Sequence, residues 1–445
     1  MKRGVFVIAL ILQVTISSYA QVYIKGLKEV VLGGYNGHNT QTFDTASVSD
    51  INNEIALKYP TGYRGLGWIK YQQQGQPQEI PLLLQGDSLY VSIEQNRISF
   101  TKNSPTSFYN FYKQVSGLYN EQEQSLVKLK EFYADSSSFK KSVLSELGKL
   151  QVEKNKFYAT METYPDMART YLRAETALES TNALLQVQSP PSQEQLRVAQ
   201  KEMEKSIDLQ TDILMHWGII HRFFYSYYSL SNVLPGGHQH STDFIVSRLS
   251  NSPFRNEYIE EIITVLQNIS GRPDIAEYFS QKALATIEEC DDFQENGDGI
   301  SGRIKRQMQQ LSIMRIGSPA PDQLLDNGKF ISDINSKYKL IVFWGSWCDH
   351  CKQEIPQLKA YYSQLKKQDV EVVAMGMEDN ADIHKLIAST NPWISHYVGR
   401  NWKAPTTESY YVYGTPTFFL VDEAMNIVAK PKSVEELKKW LEVHQ

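Results

Sequence analysis

Cysteine is nearly absent from this chain: there are three in 445 residues. So few cannot form a disulfide framework, and a single Cys-x-x-Cys without a second pair lacks the four ligands of a structural zinc site. Basic tracts are missing too. The formal net charge is −5, and no stretch interleaves arginine or lysine with aromatics, which argues against a nucleic-acid interface. Beyond the N-terminus no apolar run is long enough to suggest a transmembrane helix. Hydrophobic residues make up 41% and aromatics 11%, ample for packed cores.

What is present centres on Trp347-Cys348-Asp349-His350-Cys351. The apolar run Leu340-Ile341-Val342-Phe343-Trp344 precedes it, and Ile355, Leu358, Tyr361, Tyr362 and Leu365 follow at helical spacing. A strand that delivers a Cys-x-x-Cys pair to the first turn of a helix is a dithiol redox geometry. At a helix N-terminus, free N–H groups and the macrodipole favour an anion, so Cys348 is expected to be the attacking thiolate. Cys351, almost one turn later, is placed to close a disulfide and release a mixed-disulfide partner. A protonated His350 would favour the thiolate, and Asp349 would oppose it. Competing readings are a zinc site, which lacks ligands, and a buried structural disulfide, which does not need the strand-to-helix placement.

The N-terminus opens Met1-Lys2-Arg3 and runs apolar from Val5 to Ile16, with Ser18 and Ala20 as small residues before Gln21. This reads as a cleavable secretory signal over residues 1–20, giving a mature protein in an oxidising compartment, the periplasm, with no stable membrane insertion. No cysteine stands at the cleavage point to carry a lipid anchor. About 425 residues then remain, two to three domains at about 150 residues each. Residues 21–106 show alternating runs, among them Glu54–Leu57, Gly67–Tyr71 and Ser88–Ile93, and read as a small β domain of unknown role. Residues 107–312 read as a helical domain interrupted at Pro190-Pro191, Pro235-Gly236-Gly237 and Gly271-Arg272-Pro273. Trp217, Phe223, Phe224, Tyr225, Tyr227 and Tyr228 read as helical core rather than a docking groove.

Three other features invite a site reading. Cys290 lies among acids that dull a thiol and reads as inert. His238-Gln239-His240 offers two metal ligands in a Gly-rich stretch read as a surface loop. Asp291–Gly299 is calcium-like in composition, but Arg303 stands where the closing glutamate of an EF-hand belongs. No metal and no cofactor beyond the redox-active Cys348–Cys351 pair is expected.

Residues 313–445 resemble the thioredoxin fold, and within it the TlpA/ResA-like envelope thiol-disulfide oxidoreductases. The carrying motifs are Gly317–Asp322, Phe343–Pro356 and Tyr413–Asp422, the last containing Gly414-Thr415-Pro416-Thr417. The resemblance implies an α/β C-terminal domain with Cys348 as nucleophile, Cys351 as resolving thiol and Pro416 as a cis-proline facing the dithiol. Thr415 would then present its backbone to an extended substrate segment. Glu354, one helical turn after Cys351, matches an acidic residue of the subfamily and is a candidate proton acceptor for that thiol. Trp344 and Trp347 would flank the site. Val342 replaces the buried aspartate of cytosolic thioredoxins, which strengthens the case for Glu354. Gly345 stands where a peroxiredoxin needs threonine, which excludes that class. His350 is the residue of oxidising members, so the direction of exchange does not follow from the motif.

The resulting expectation is a protein-disulfide oxidoreductase of the periplasm, with reduction the favoured direction. Its partners would be disulfide-containing or dithiol envelope proteins, and the resemblance adds a membrane dithiol electron donor. The alternative is a partner- or peptide-binding envelope protein whose dithiol acts as sensor or tether.

Overall fold

A computed structural model describes residues 19–94, 97–186, 190–269, 272–288 and 300–444. Most of the expected signal, Cys290 and the calcium-like stretch 291–299 lie outside the described residues. Packing divides the chain into two compact units, residues 1–235 and 236–445. The division falls inside the stretch read as one helical domain. Among the described residues, no helix is long and apolar enough to cross a membrane.

Among the described residues, the first unit opens with eight strands: β1 (Tyr19–Lys25), β2 (Glu29–Asn36), β3 (Asn39–Ser47), β4 (Ile55–Pro60), β5 (Gly65–Gln73), β6 (Gln76–Leu84), β7 (Leu89–Glu94) and β8 (Arg97–Phe100). They form two four-stranded sheets, ordered β4-β1-β7-β8 and β3-β2-β5-β6. The alternation seen in the sequence is the cause. In β4, Ile55, Leu57 and Tyr59 turn inward while Ala56, Lys58 and Pro60 face out. Val22, Ile24 and Val91 from one sheet share a core with Val30, Leu32, Ile69 and Leu82 from the other. Strand β1 runs across the expected cleavage bond, with Tyr19 opposite Pro60 and a buried Ala20 opposite Tyr59.

Helices α1 (Pro105–Phe132), α2 (Ser138–Ala159), α3 (Asp166–Leu185), α4 (Gln193–Lys205) and α5 (Ile220–Asn232) complete this unit. Local caps define their starts. Ser104 accepts from the Ser107 N–H before α1, and a reciprocal Ser192–Gln195 capping box opens α4. The buried Thr106 hydroxyl bonds both backbone groups of Leu83, fastening α1 to β6. Trp217, Phe223, Phe224, Tyr227 and Tyr228 are all buried, as expected of core, while Tyr225 is half exposed.

The second unit opens with α6 (Gly237–Leu249), α7 (Arg255–Leu266), α8 (Pro273–Glu288) and α9 (Ile300–Ile313). His238 and His240 therefore lie on a helix, not in a loop. Gly236, with φ +66°, is the residue that starts α6, so the glycines mark a helix entry rather than a loop. Among the described residues, neither histidine joins a cluster of three metal-ligand side chains.

Beyond these helices lie β9 (Tyr338–Trp344), α10 (Asp349–Lys367), β10 (Val370–Gly376), α11 (Ala381–Ala388), β11 (Ile394–Tyr397), α12 (Pro405–Ser409), β12 (Thr417–Asp422), β13 (Ile427–Ala429) and α13 (Val434–Val443). The sheet order is β11-β10-β9-β12-β13. Strands β9, β10 and β11 are parallel, and β12 pairs antiparallel with β9. Because β9 is buried on both faces, its sequence is continuously apolar from Leu340 to Trp344 rather than alternating. Leu340, Val342 and Trp344 pack on one side against residues of α10 and α13, and Ile341 and Phe343 pack on the other against Tyr410 and Val412. This is the α/β thioredoxin-like domain expected from the sequence, preceded by helices and β sheets.

Candidate active site: the dithiol at the head of α10

Chain direction explains where the cysteines land. At the end of β9 the backbone turns over Gly345-Ser346-Trp347-Cys348, closed by the Cys348 N–H donating to the Gly345 carbonyl at 3.2 Å. Cys348 is then the N-cap of α10, and its Sγ accepts from the Cys351 N–H at 3.3 Å. A serine or aspartate usually serves here, so the sulfur occupies the position where a helix best stabilises an anion.

Both cysteines are free thiols and both are buried, Cys348 at 8% exposure and Cys351 at 1%. Burial pushes the Cys348 thiol up, but hydrogen bonds from Cys351, Thr415 and the peptide N–H groups of Cys351 and His350 outweigh it. The net shift is downward. Cys351 goes the other way: burial, and then the hydrogen bond with Cys348, push it up to about 12. The pair is thus chemically unequal, with one sulfur ready to ionise and the other held protonated.

The remaining residues expected at the site fall as follows. The Thr415–Pro416 peptide is cis, and Cys348 Sγ donates to the Thr415 carbonyl at 3.2 Å. Pro416 and Thr415 are therefore brought beside the dithiol from the start of β12. Trp344 is buried in the same apolar cluster as both cysteines, and Trp347 packs against its edge. Asp349 and His350 are exposed in the first turn. Asp349 pairs with Lys352 at 2.8 Å, so its charge is met locally rather than directed at the thiol. His350 bears on Cys348 through its peptide N–H. Glu354 is half-buried one turn below Cys351, and its Oε2 accepts from the Val434 N–H at 2.7 Å, at the first turn of α13. Val342 is fully buried.

Several residues that shape the site were missed in the sequence. Ser346 donates through both its N–H and its hydroxyl to the carboxylate of Glu378, each at 2.7 Å. Trp347 Nε1 donates to the Met377 carbonyl at 2.6 Å. The Arg400 guanidinium lies 4.2 Å over the Trp347 ring, and Trp402 meets that ring edge-on at 6.4 Å. Met377 and Glu378 follow β10, and Arg400 and Trp402 follow β11. One signal was available, since sites in parallel sheets gather at the carboxyl ends of strands. An acid directly after the apolar run Val372–Met377 fits that rule.

Residues 335–427 match a family model described as thioredoxin-like. The thiol-disulfide oxidoreductase ResA of Bacillus subtilis (strain 168) is 33% identical over 117 residues, 25% of this chain and 64% of that protein. ResA of Geobacillus kaustophilus (strain HTA426) is 30% identical over 141 residues, 30% of this chain and 80% of that protein. The sporulation thiol-disulfide oxidoreductase A of Bacillus subtilis (strain 168) is 30% identical over 122 residues, 26% of this chain and 73% of that protein.

Proposed function

The C-terminal domain makes this chain a member of the ResA/TlpA-like thiol-disulfide oxidoreductases of thioredoxin fold, and we propose that it acts in the periplasm as a reductase of disulfides in exported proteins. The observation that carries the reading is the inequality of the two thiols. A lowered Cys348 beside a Cys351 pushed up to about 12 supports Cys348 as the attacking sulfur and Cys351 as the resolving one.

The Cys348 thiolate attacks one sulfur of a substrate disulfide. That S–S bond breaks, a Cys348–substrate disulfide forms, and the displaced substrate sulfur leaves as a thiolate that takes up a proton. Cys351 must then lose its proton. Glu354, one turn along α10, is the candidate acceptor. The Cys351 thiolate attacks Cys348 Sγ, closing Cys348–Cys351 and releasing the second substrate thiol. Two electrons have passed from the protein dithiol to the substrate. Return to the dithiol needs an external reductant, for which a membrane-borne dithiol donor is the fitting class. Thr415 and Pro416 sit where an extended substrate segment would lie against Cys348, consistent with strand-like docking. The first 20 residues support export.

The test is the reduction potential of the Cys348–Cys351 pair, by equilibration in dithiothreitol or glutathione buffers. A value near the thioredoxin value of about −270 mV supports reduction. A value in the range of about −180 to −120 mV would sink it and make the protein an oxidant or isomerase.

A further inference from the structure

Beside the turn that leads to the dithiol, the mechanism leaves a buried acid unused. Glu378 is 2% exposed, and both of its carboxylate oxygens accept from Ser346, one from the N–H and one from the hydroxyl. Ser346 and Trp347 are the two central residues of the turn closed from Cys348 N–H to the Gly345 carbonyl. Each is pinned by one of two consecutive residues beyond β10: Ser346 by Glu378, and Trp347 by the Met377 carbonyl. The Met377 N–H in turn donates to the Trp344 carbonyl at 2.8 Å, and the Glu378 carbonyl accepts from the Arg400 N–H at 2.9 Å. The turn has little slack. A Cβ on Gly345 would lie 2.4 Å from Trp347 Nε1 and 2.8 Å from the Met377 carbonyl.

That turn decides where Cys348 enters α10. Its sulfur is stabilised by peptide N–H groups that it meets only as N-cap, so a shift of the turn moves the sulfur off them. A charged group is buried at a cost unless its oxygens are bonded, and here Ser346 bonds both. We propose that Glu378 is a positioning residue of the redox pair: its carboxylate fixes the Gly345–Cys348 turn, and through it the reactivity of Cys348. Glu378 does not touch the sulfur. It acts through Ser346. The proposal rests on the dithiol being the reactive centre.

The test uses the full chain, reduced, with Glu378→Ala, Glu378→Gln and Ser346→Ala. Cys348 alkylation by iodoacetamide is followed by peptide mass spectrometry across pH, with circular dichroism as the check on folding. Glu378→Ala is expected to raise the alkylation midpoint and slow the reaction at neutral pH about tenfold, the thiolate lost per pH unit of midpoint. Glu378→Gln keeps one acceptor for the Ser346 N–H and a donor for its hydroxyl. It is expected to restore the rate to within about twofold. An unchanged midpoint in Glu378→Ala overturns the proposal, as does a Gln variant as slow as the Ala variant. Should Glu378→Ala fail to fold, Ser346→Ala decides, because it removes only the hydroxyl contact: a raised midpoint supports positioning and an unchanged one overturns it. Alkylation needs no disulfide substrate. A protein that alkylates as expected but turns over no disulfide would therefore overturn the oxidoreductase reading and leave this one standing.

Discussion

Glu354 accepts the Val434 N–H at 2.7 Å, so the helix that carries the dithiol is tied by its candidate proton acceptor to the first turn of the C-terminal helix. A carboxylate at a helix N-terminus is favourable on its own account, so this bond is separable from the proton transfer proposed for Glu354.

Substituting Glu354 by Ala should remove this bond, leaving Ser433 as the N-cap of α13, and cost about 1 kcal/mol of stability. Glu354→Gln keeps an acceptor for Val434 and should stay within about 0.5 kcal/mol of the parent in urea unfolding. The Gln variant cannot accept a proton. Its mixed disulfide should resolve slowly at neutral pH and recover as pH rises and Cys351 ionises unaided. Rapid-mixing kinetics of resolution across pH checks this, and equal profiles for Gln and parent would remove Glu354 from the proton path.

The two cysteines should separate cleanly by chemistry. Cys348 alkylation should show a midpoint below the ordinary thiol value of about 8.5, with reactivity lost as pH falls through that lowered midpoint. Cys351, pushed up to about 12, should stay unlabelled through the neutral range. Cys351→Ser should accumulate a mixed disulfide with a substrate protein, and Cys348→Ser should not. Mass spectrometry of non-reduced protein reads both outcomes.

Gly345 is a position where close approach, not backbone conformation, requires glycine. An alanine Cβ would fall 2.4 Å from Trp347 Nε1. Either the indole or the end of β10 must then move, at about 1–3 kcal/mol. Gly345→Ala should lower the urea midpoint and alter the intrinsic fluorescence, since Trp347 loses its 2.6 Å bond to the Met377 carbonyl.

Lys430 donates to the carbonyls of Gln310 and Met314 at 3.3 and 2.9 Å near the end of α9. Burial pushes its pKa down to about 8, against partial support from Glu277. Its unfolded value is about 10.4, so between about 8 and 10.4 the unfolded chain binds more protons and this group's contribution to stability rises with pH. Below about 8 both states are charged and the penalty is constant. The difference in unfolding free energy between parent and Lys430→Met should therefore change across that window and be flat below it. A flat difference throughout would rule out the depressed value.

Much of this was legible in the sequence because the signals are local. The period-two pattern of Ile55–Tyr59 and the unbroken apolar run Leu340–Trp344 report how many faces each strand buries. Cys348 and Cys351 reveal their pairing by spacing alone. His238 and His240 were misjudged because the same glycine pair can begin a helix or sustain a loop, and only the following contacts choose.

Glu378 belongs to another class. It lies 32 positions from Ser346, and neither residue carries a mark of the other. Parallel pairing of β9 with β10, Trp344 opposite Gly376, brings them together. The sequence by itself determined the chemistry: which atoms react, and that a helix starts beneath them. Only the tertiary structure decided how that reactivity is tuned. The sulfur meets the first peptide N–H groups of its own helix and the Thr415 carbonyl ahead of β12, while the Met377 carbonyl and the Glu378 carboxylate beyond β10 hold the turn before it, and the register that gathers them is set by the whole sheet.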